Sequence, residues 1–136
     1  MKIAERDEVE MVMRRLVKGG LIKRLPKNRR DTEIFLALAA SSLDPRARYS
    51  EPEVNVMLRE WMRDFTCDVS MDHVSVRRCL VDYRLLLREE SGKDYRANQV
   101  VINCTIEPAA RSVDPQQIFY DVQEERELRK RAVNAT

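Results

Sequence analysis

An α+β fold, helices leading into a β-hairpin, is predicted by three features of this 136-residue chain. The stretch DHVSVRRCLVDYRLLLREESGKDYR at residues 72–96 changes from a helical period to short extended runs on either side of Ser91-Gly92, which outlines a helix followed by a wing. Ahead of it, Val54, Met57, Leu58, Trp61, Met62 and Phe65 form one apolar stripe at helical spacing. Residues 34–40, IFLALAA, are apolar nearly all round, as a helix at the centre of a core must be.

The elements follow in order. Val9, Val12, Met13, Leu16 and Val17 give a first helix over about residues 5–18, ended by Gly19-Gly20. Leu25-Pro26 interrupts any helix, because proline lacks a donor and restrains its predecessor, so LIKRLPKNRR reads as a basic connector. A second helix is expected from Asp31 or Thr32 to about Ser42. Tyr49 falls in a short extended piece, and Ser50-Glu51-Pro52-Glu53 supplies a cap, a first-turn proline and a capping-box glutamate. After TCDVSMD, Ser70 or Asp72 can cap a helix to about Tyr83. That helix turns Val76, Cys79, Leu80 and Tyr83 inward and leaves Ser75, Arg77, Arg78 and Asp82 at or near the surface. VVINCTI at residues 100–106 is β-branched enough for another strand. Asp114-Pro115 then opens a terminal helix over about residues 115–131, with a thin apolar side of Ile118, Phe119, Val122 and Leu128.

Composition sets the limits. With 43% apolar and 6% aromatic residues, the chain can build one ordinary core. Its net charge of +2 hides an asymmetry: residues 1–30 hold ten Lys/Arg against four Asp/Glu, whereas residues 31–96 hold ten against thirteen. Three cysteines without paired spacing argue against a disulfide framework or a structural zinc site and fit a reducing cytoplasm. No apolar run approaches a membrane span, and the N-terminus lacks a signal-peptide pattern.

The central sequence resembles a known family. LIKRLPKNRRDTEIFLALAASSLDPRARYSEPEVNVMLREW, followed by RRCLVDYRLLLREESGKDYR, is similar to a bacterial domain-of-unknown-function family often found behind ArsR-type repressor domains or as a short stand-alone protein. Leu25-Pro26-Lys27, Arg48-Tyr49-Ser50-Glu51, Glu53-Val54-Asn55, Arg77-Arg78, Leu80-Val81-Asp82 and Tyr95-Arg96 carry the likeness. Arg84 stands where the family often has glycine, and the loop TCDVSMDHV is longer than usual. The resemblance implies a winged-helix-like module of three core helices and a hairpin, in a regulatory context. The expected division is an N-terminal helix at residues 1–20, the module at 21–97, and a C-terminal extension with a terminal helix at 98–136.

The functional expectation is a DNA-binding transcriptional regulator. Residues 72–83 would be the recognition helix, offering Ser75, Arg77 and Arg78 to a major groove, with Lys93 and Arg96 of the wing reaching phosphates or the minor groove. Lys23, Arg24, Lys27, Arg29 and Arg30 of the connector would follow the phosphate backbone together. Against this stand a surface or structural ion pair between Arg78 and Asp82 with Arg77 merely solvated, and a solvated connector, in which at least one of Lys27, Arg29 and Arg30 pairs with Asp31 or Glu33. The alternative function is a protein–protein interaction or dimerisation module. The apolar stripes of the two end helices need cover, on the chain's own core or against a second subunit, and a homodimer is expected. An enzyme is the least supported class. His73 and Cys67 fall short of a zinc set or a catalytic triad, and Gly19, Gly20 and Gly92 build no phosphate loop. No cofactor, membrane partner or small-molecule ligand is legible.

Overall fold

The computed structural model describes residues 2–91 and 93–135. It has an α+β fold: six α-helices, one short 3-10 turn and a three-stranded antiparallel sheet. In chain order these are α1 (Arg6–Leu16), α2 (Arg29–Ala40), β1 (Tyr49–Ser50), α3 (Glu51–Met62), α4 (His73–Asp82), β2 (Leu86–Arg88), β3 (Asp94–Ala97), α5 (Gln99–Thr105), the 3-10 turn Pro108–Ser112 and α6 (Pro115–Asn134).

Helix α2 is the centre. All seven residues from 34 to 40 are at most 2% exposed, and α1, α4 and α5 pack around it. Val9, Val12 and Met13 of α1 and Ile102 of α5 supply buried partners. Trp61 of α3 stands edge-on between Phe35 of α2, at 5.3 Å between ring centroids, and Phe65, at 5.1 Å. Such edge contacts match the positive rim of one ring to the negative face of the next.

Helix starts follow the side chains that can satisfy free backbone donors. Ser50 accepts from Glu53 N while the Glu53 carboxylate accepts from Ser50 N, a complete capping box. These bonds hold the Glu53 carboxyl below its usual range. Asp72, not Ser70, caps α4. Helix α2 begins two or three residues before the expected point, because Asn28 accepts from Arg30 N and Asp31 N. Thr32 cannot act as the cap: its hydroxyl is donated to the carbonyls of Pro26 and Asn28.

The sheet has the order β1-β3-β2. Tyr49 faces Tyr95, and Leu86, Leu87 and Arg88 pair with Ala97, Arg96 and Tyr95. Leu86, Tyr95 and Ala97 are buried, which fixes the hairpin register against the core. Gly92, the expected corner residue of this hairpin, lies outside the described residues. The turn from α4 into β2 is closed by Arg84 N donating to Val81 O and Leu85 N to Leu80 O. Arg84 there has φ 63°, a left-handed backbone that glycine adopts without penalty and that costs a side-chain-bearing residue about 1–2 kcal/mol.

The expected strand at residues 100–106 is instead helix α5. Ile102 and Ile106, four apart, are buried while Val100 is 72% exposed, so the segment follows a helical face despite its β-branched composition. Packing on α2 overrides that weak preference. At the end of the chain, α6 runs to Asn134, and Leu128, expected on its apolar side, is 56% exposed.

Replacing Ser50 with alanine should destabilise the fold by about 1 kcal/mol, since α3 loses its cap acceptor. The shift in urea midpoint at unchanged slope measures it; an unmoved midpoint would contradict the role given to the cap.

Candidate nucleic-acid interface

Helix α4 presents a narrow outer face. Ser75, Arg78 and Asp82 are exposed, and Val76 and Leu80 are buried. Asp72 accepts from Ser75 N at 2.8 Å and from the Ser75 hydroxyl at 2.9 Å, so Ser75 helps to fix its own helix start. These bonds depress the Asp72 carboxyl. His73, beside it, is held below the usual imidazole range by burial and by the Arg59 guanidinium.

Arg77 was expected at or near the surface, and the structure corrects this. Its side chain is 11% exposed and points toward α3, where Nη2 lies 2.8 Å from Glu51 Oε1 and Nη1 donates to Asn55 Oδ1. Glu51 and Asn55 are one helical turn apart, so one planar guanidinium bridges both. Glu51 Oε1 also accepts a long, 3.5 Å hydrogen bond from the Tyr95 hydroxyl. The group that joins α3, α4 and β3 is therefore unavailable to a groove.

Arg78, the next residue, is exposed and makes no ion pair with Asp82. On the hairpin, Lys93 and Arg96 are exposed, and Arg96 Nε is 3.9 Å from Glu89, a loose surface contact. Two further exposed cations, Arg84 and Arg88, flank β2; the Arg88 guanidinium lies 5.9 Å from the Tyr95 ring centre.

The connector divides in two. Lys23, Arg24 and Lys27 are exposed and unpaired among the described residues. Arg29 pairs with Glu33 at 2.8 Å, while Arg30 grips both Glu8 oxygens at 2.7 and 2.8 Å and donates to the Lys2 carbonyl. The Arg30 contact draws the Glu8 carboxyl below its usual range. Arg29 and Arg30 are thus committed within the fold. The connector meets the loop between α3 and α4, and the start of α2 meets the residue that ends α4. Ile22 pairs with Thr66, Lys23 is near enough to help lower the Cys67 thiol, and Arg29 stands 5.9 Å from the ring centre of Tyr83 at the far end of α4. Hydrogen bonding to Ser70 is the larger cause of the Cys67 shift.

Sequence periodicity found α4 and its exposed Arg78, but it missed the inward turn of Arg77. Its partners lie 22 and 26 positions away on another helix, and only the inward-facing spacing of Arg77 with Leu80, three residues on, was visible in advance.

The fold and this face define a small helical module with a hairpin that carries three cations and three carboxylates. The chain belongs to the family DUF2087, described as uncharacterized proteins conserved in bacteria, whose model matches residues 21–97. That span takes in the connector, α2, α3, α4 and the sheet. No curated protein and no solved structure matches the chain.

Arg77→Ala should cost about 1–3 kcal/mol, because it leaves Asn55 and Glu51 without their shared donor. Arg78→Ala should stay within about 0.5 kcal/mol of the parent, as surface changes do. Urea unfolding of the two variants side by side decides this; equal midpoints would return Arg77 to the surface.

Proposed function

We propose that this chain is a DNA-binding, transcription-regulatory module of winged-helix type, working in the cytoplasm. The observation that carries the proposal is a set of exposed cations: Arg78 on the outer face of α4, Lys93 and the loosely held Arg96 on the following hairpin, and Lys23, Arg24 and Lys27 on the connector, whose Ile22 pairs with Thr66 in the loop ahead of α4. Arg78 takes the base-reading role, with Ser75 beside it. Lys93, Arg96 and the connector lysines contact phosphates, where several cations act together through counterion release. Arg77 is a positioning residue that sets the angle of α4, and Arg29 and Arg30 hold the connector in place. The placement of such modules behind ArsR-type repressor domains, which the family resemblance implies, suits this regulatory role.

A second copy of the chain is the partner we propose for the exposed end of α6. Residues 127–135 are exposed throughout, including Leu128 and Val133 at 56% and 72%. In an antiparallel pairing centred on Leu128, Glu127 of one copy meets Arg129 of the other, while Glu125 stays 2.6 Å from Arg14 of its own chain. The pattern is self-complementary, as an isologous two-fold contact requires.

Fluorescence anisotropy on random duplex DNA at two salt concentrations tests the first proposal. Binding should weaken steeply with salt. Arg78→Ala should lower affinity about tenfold, whereas Lys93→Ala should reduce the salt slope by about one. Absence of binding at low salt would refute the DNA role and leave the interaction module as the function. Light scattering tests the second: Leu128→Glu should halve the parent's dimer mass, and a parent already monomeric at tens of micromolar would overturn it.

A further inference from the structure

A cleft of about 730 Å3 adjoins the C-terminal end of α4, between Asp82 and the turn that follows it, the start of α2, and α5. This volume falls among those of small-molecule sites, about 300–1,000 Å3. Its accessible apolar surface comes from the half-buried Val101 and Tyr83, with Ile34 and Leu85 sealed beneath at 0% and 1% exposure. Tyr83 forms a flat aromatic side, with the Arg29 guanidinium 5.9 Å from its ring centre.

The charges around the cleft are unevenly spent. Four cations line it, Lys2, Arg29, Arg30 and Arg84, against two carboxylates, Glu33 and Asp82. Arg29 is neutralised by Glu33 and Arg30 by Glu8. Lys2, Arg84 and the Asp82 carboxylate form no ion pair among the described residues, which leaves the lining with one positive charge in excess. Arg84 is also the residue held at φ 63°, and its carbonyl accepts from Asn98 Nδ2 at 2.8 Å, which fixes that turn. A strained backbone carrying an unspent charge at the mouth of an apolar cleft is the arrangement expected of a binding site.

We propose that the cleft binds a small organic acid, its apolar body lying on Val101 and the Tyr83 ring and its carboxylate held by Arg84 and Lys2. The apolar surface selects against inorganic phosphate, and the two free cations select against the uncharged analogue. The site is independent of the proposed contact with DNA and stands or falls separately.

Cys104, an exposed thiol in the cleft wall, provides a local reporter. Decanoate is the probe. It should slow alkylation of Cys104 by iodoacetamide, mapped by mass spectrometry, and leave alkylation of Cys67 unchanged; decanol should protect far less. Displacement of the anionic fluorophore anilinonaphthalene sulfonate by decanoate gives the affinity. Arg84→Gly should weaken it about tenfold, the loss of one charge-assisted contact. Glycine suits the left-handed backbone, so this variant should unfold at a urea concentration no lower than the parent, and weakened binding cannot then be laid to unfolding. Decanoate that leaves Cys104 unprotected, decanol that protects as well, or Arg84→Gly that binds as the parent does would each overturn the proposal.

Discussion

Helix α2 is the constraint on which the rest of the structure depends. A helix apolar on every side has no face to give to water, so every direction around residues 34–40 must be closed by another element. The module's own α3 and α4 close part of it, through the Phe35–Trp61 contact and the packing of α4. The remaining directions are taken by α1 and α5, which lie outside the span matched by the family model. In this chain the two ends are therefore part of the core, and one continuous cluster of buried side chains runs from Ala4 to Val122.

The second constraint is the guanidinium of Arg77. Adjacent residues on a helix point about 100° apart, so α4 can send Arg77 into the interior and still offer Arg78 to solvent. Desolvating a guanidinium is costly, and replacing such a buried group with apolar side chains can even stabilise a fold. What the fork provides is geometry: its donors engage Glu51 and Asn55 one turn apart, and this sets α4 against α3. The outer face of α4, the hairpin after it and the Arg84 turn all take their positions from that joint.

Much of this architecture was legible in the residues, for local reasons. Ser50-Glu51-Pro52-Glu53 and Asp114-Pro115 place helix starts because each supplies its own hydrogen-bond acceptor within two or three residues. The hairpin was legible from the change of period after Tyr83. The errors share another cause. Residues 100–106 have a β-branched composition, yet contact with α2 decides their conformation. Arg77 looked like half of a cationic pair until its partners on α3 were in view, and Arg30 is spent on Glu8, 22 positions away, whereas the Arg29–Glu33 pair, four apart on one helix, was legible in advance. The cleft was invisible, since its lining comes from the N-terminus, α2, the end of α4 and α5.

If α2 is enclosed as described, nothing short of global unfolding can expose its central amides. Native-state hydrogen exchange measured across a series of urea concentrations tests this most directly. The account predicts that amides at residues 34–40 exchange last, with a urea dependence equal to that of global unfolding, and that the central amides of α1 converge on the same line. Exchange of the α2 amides through a smaller opening, with α1 detached while α3 and α4 stay protected, would contradict it.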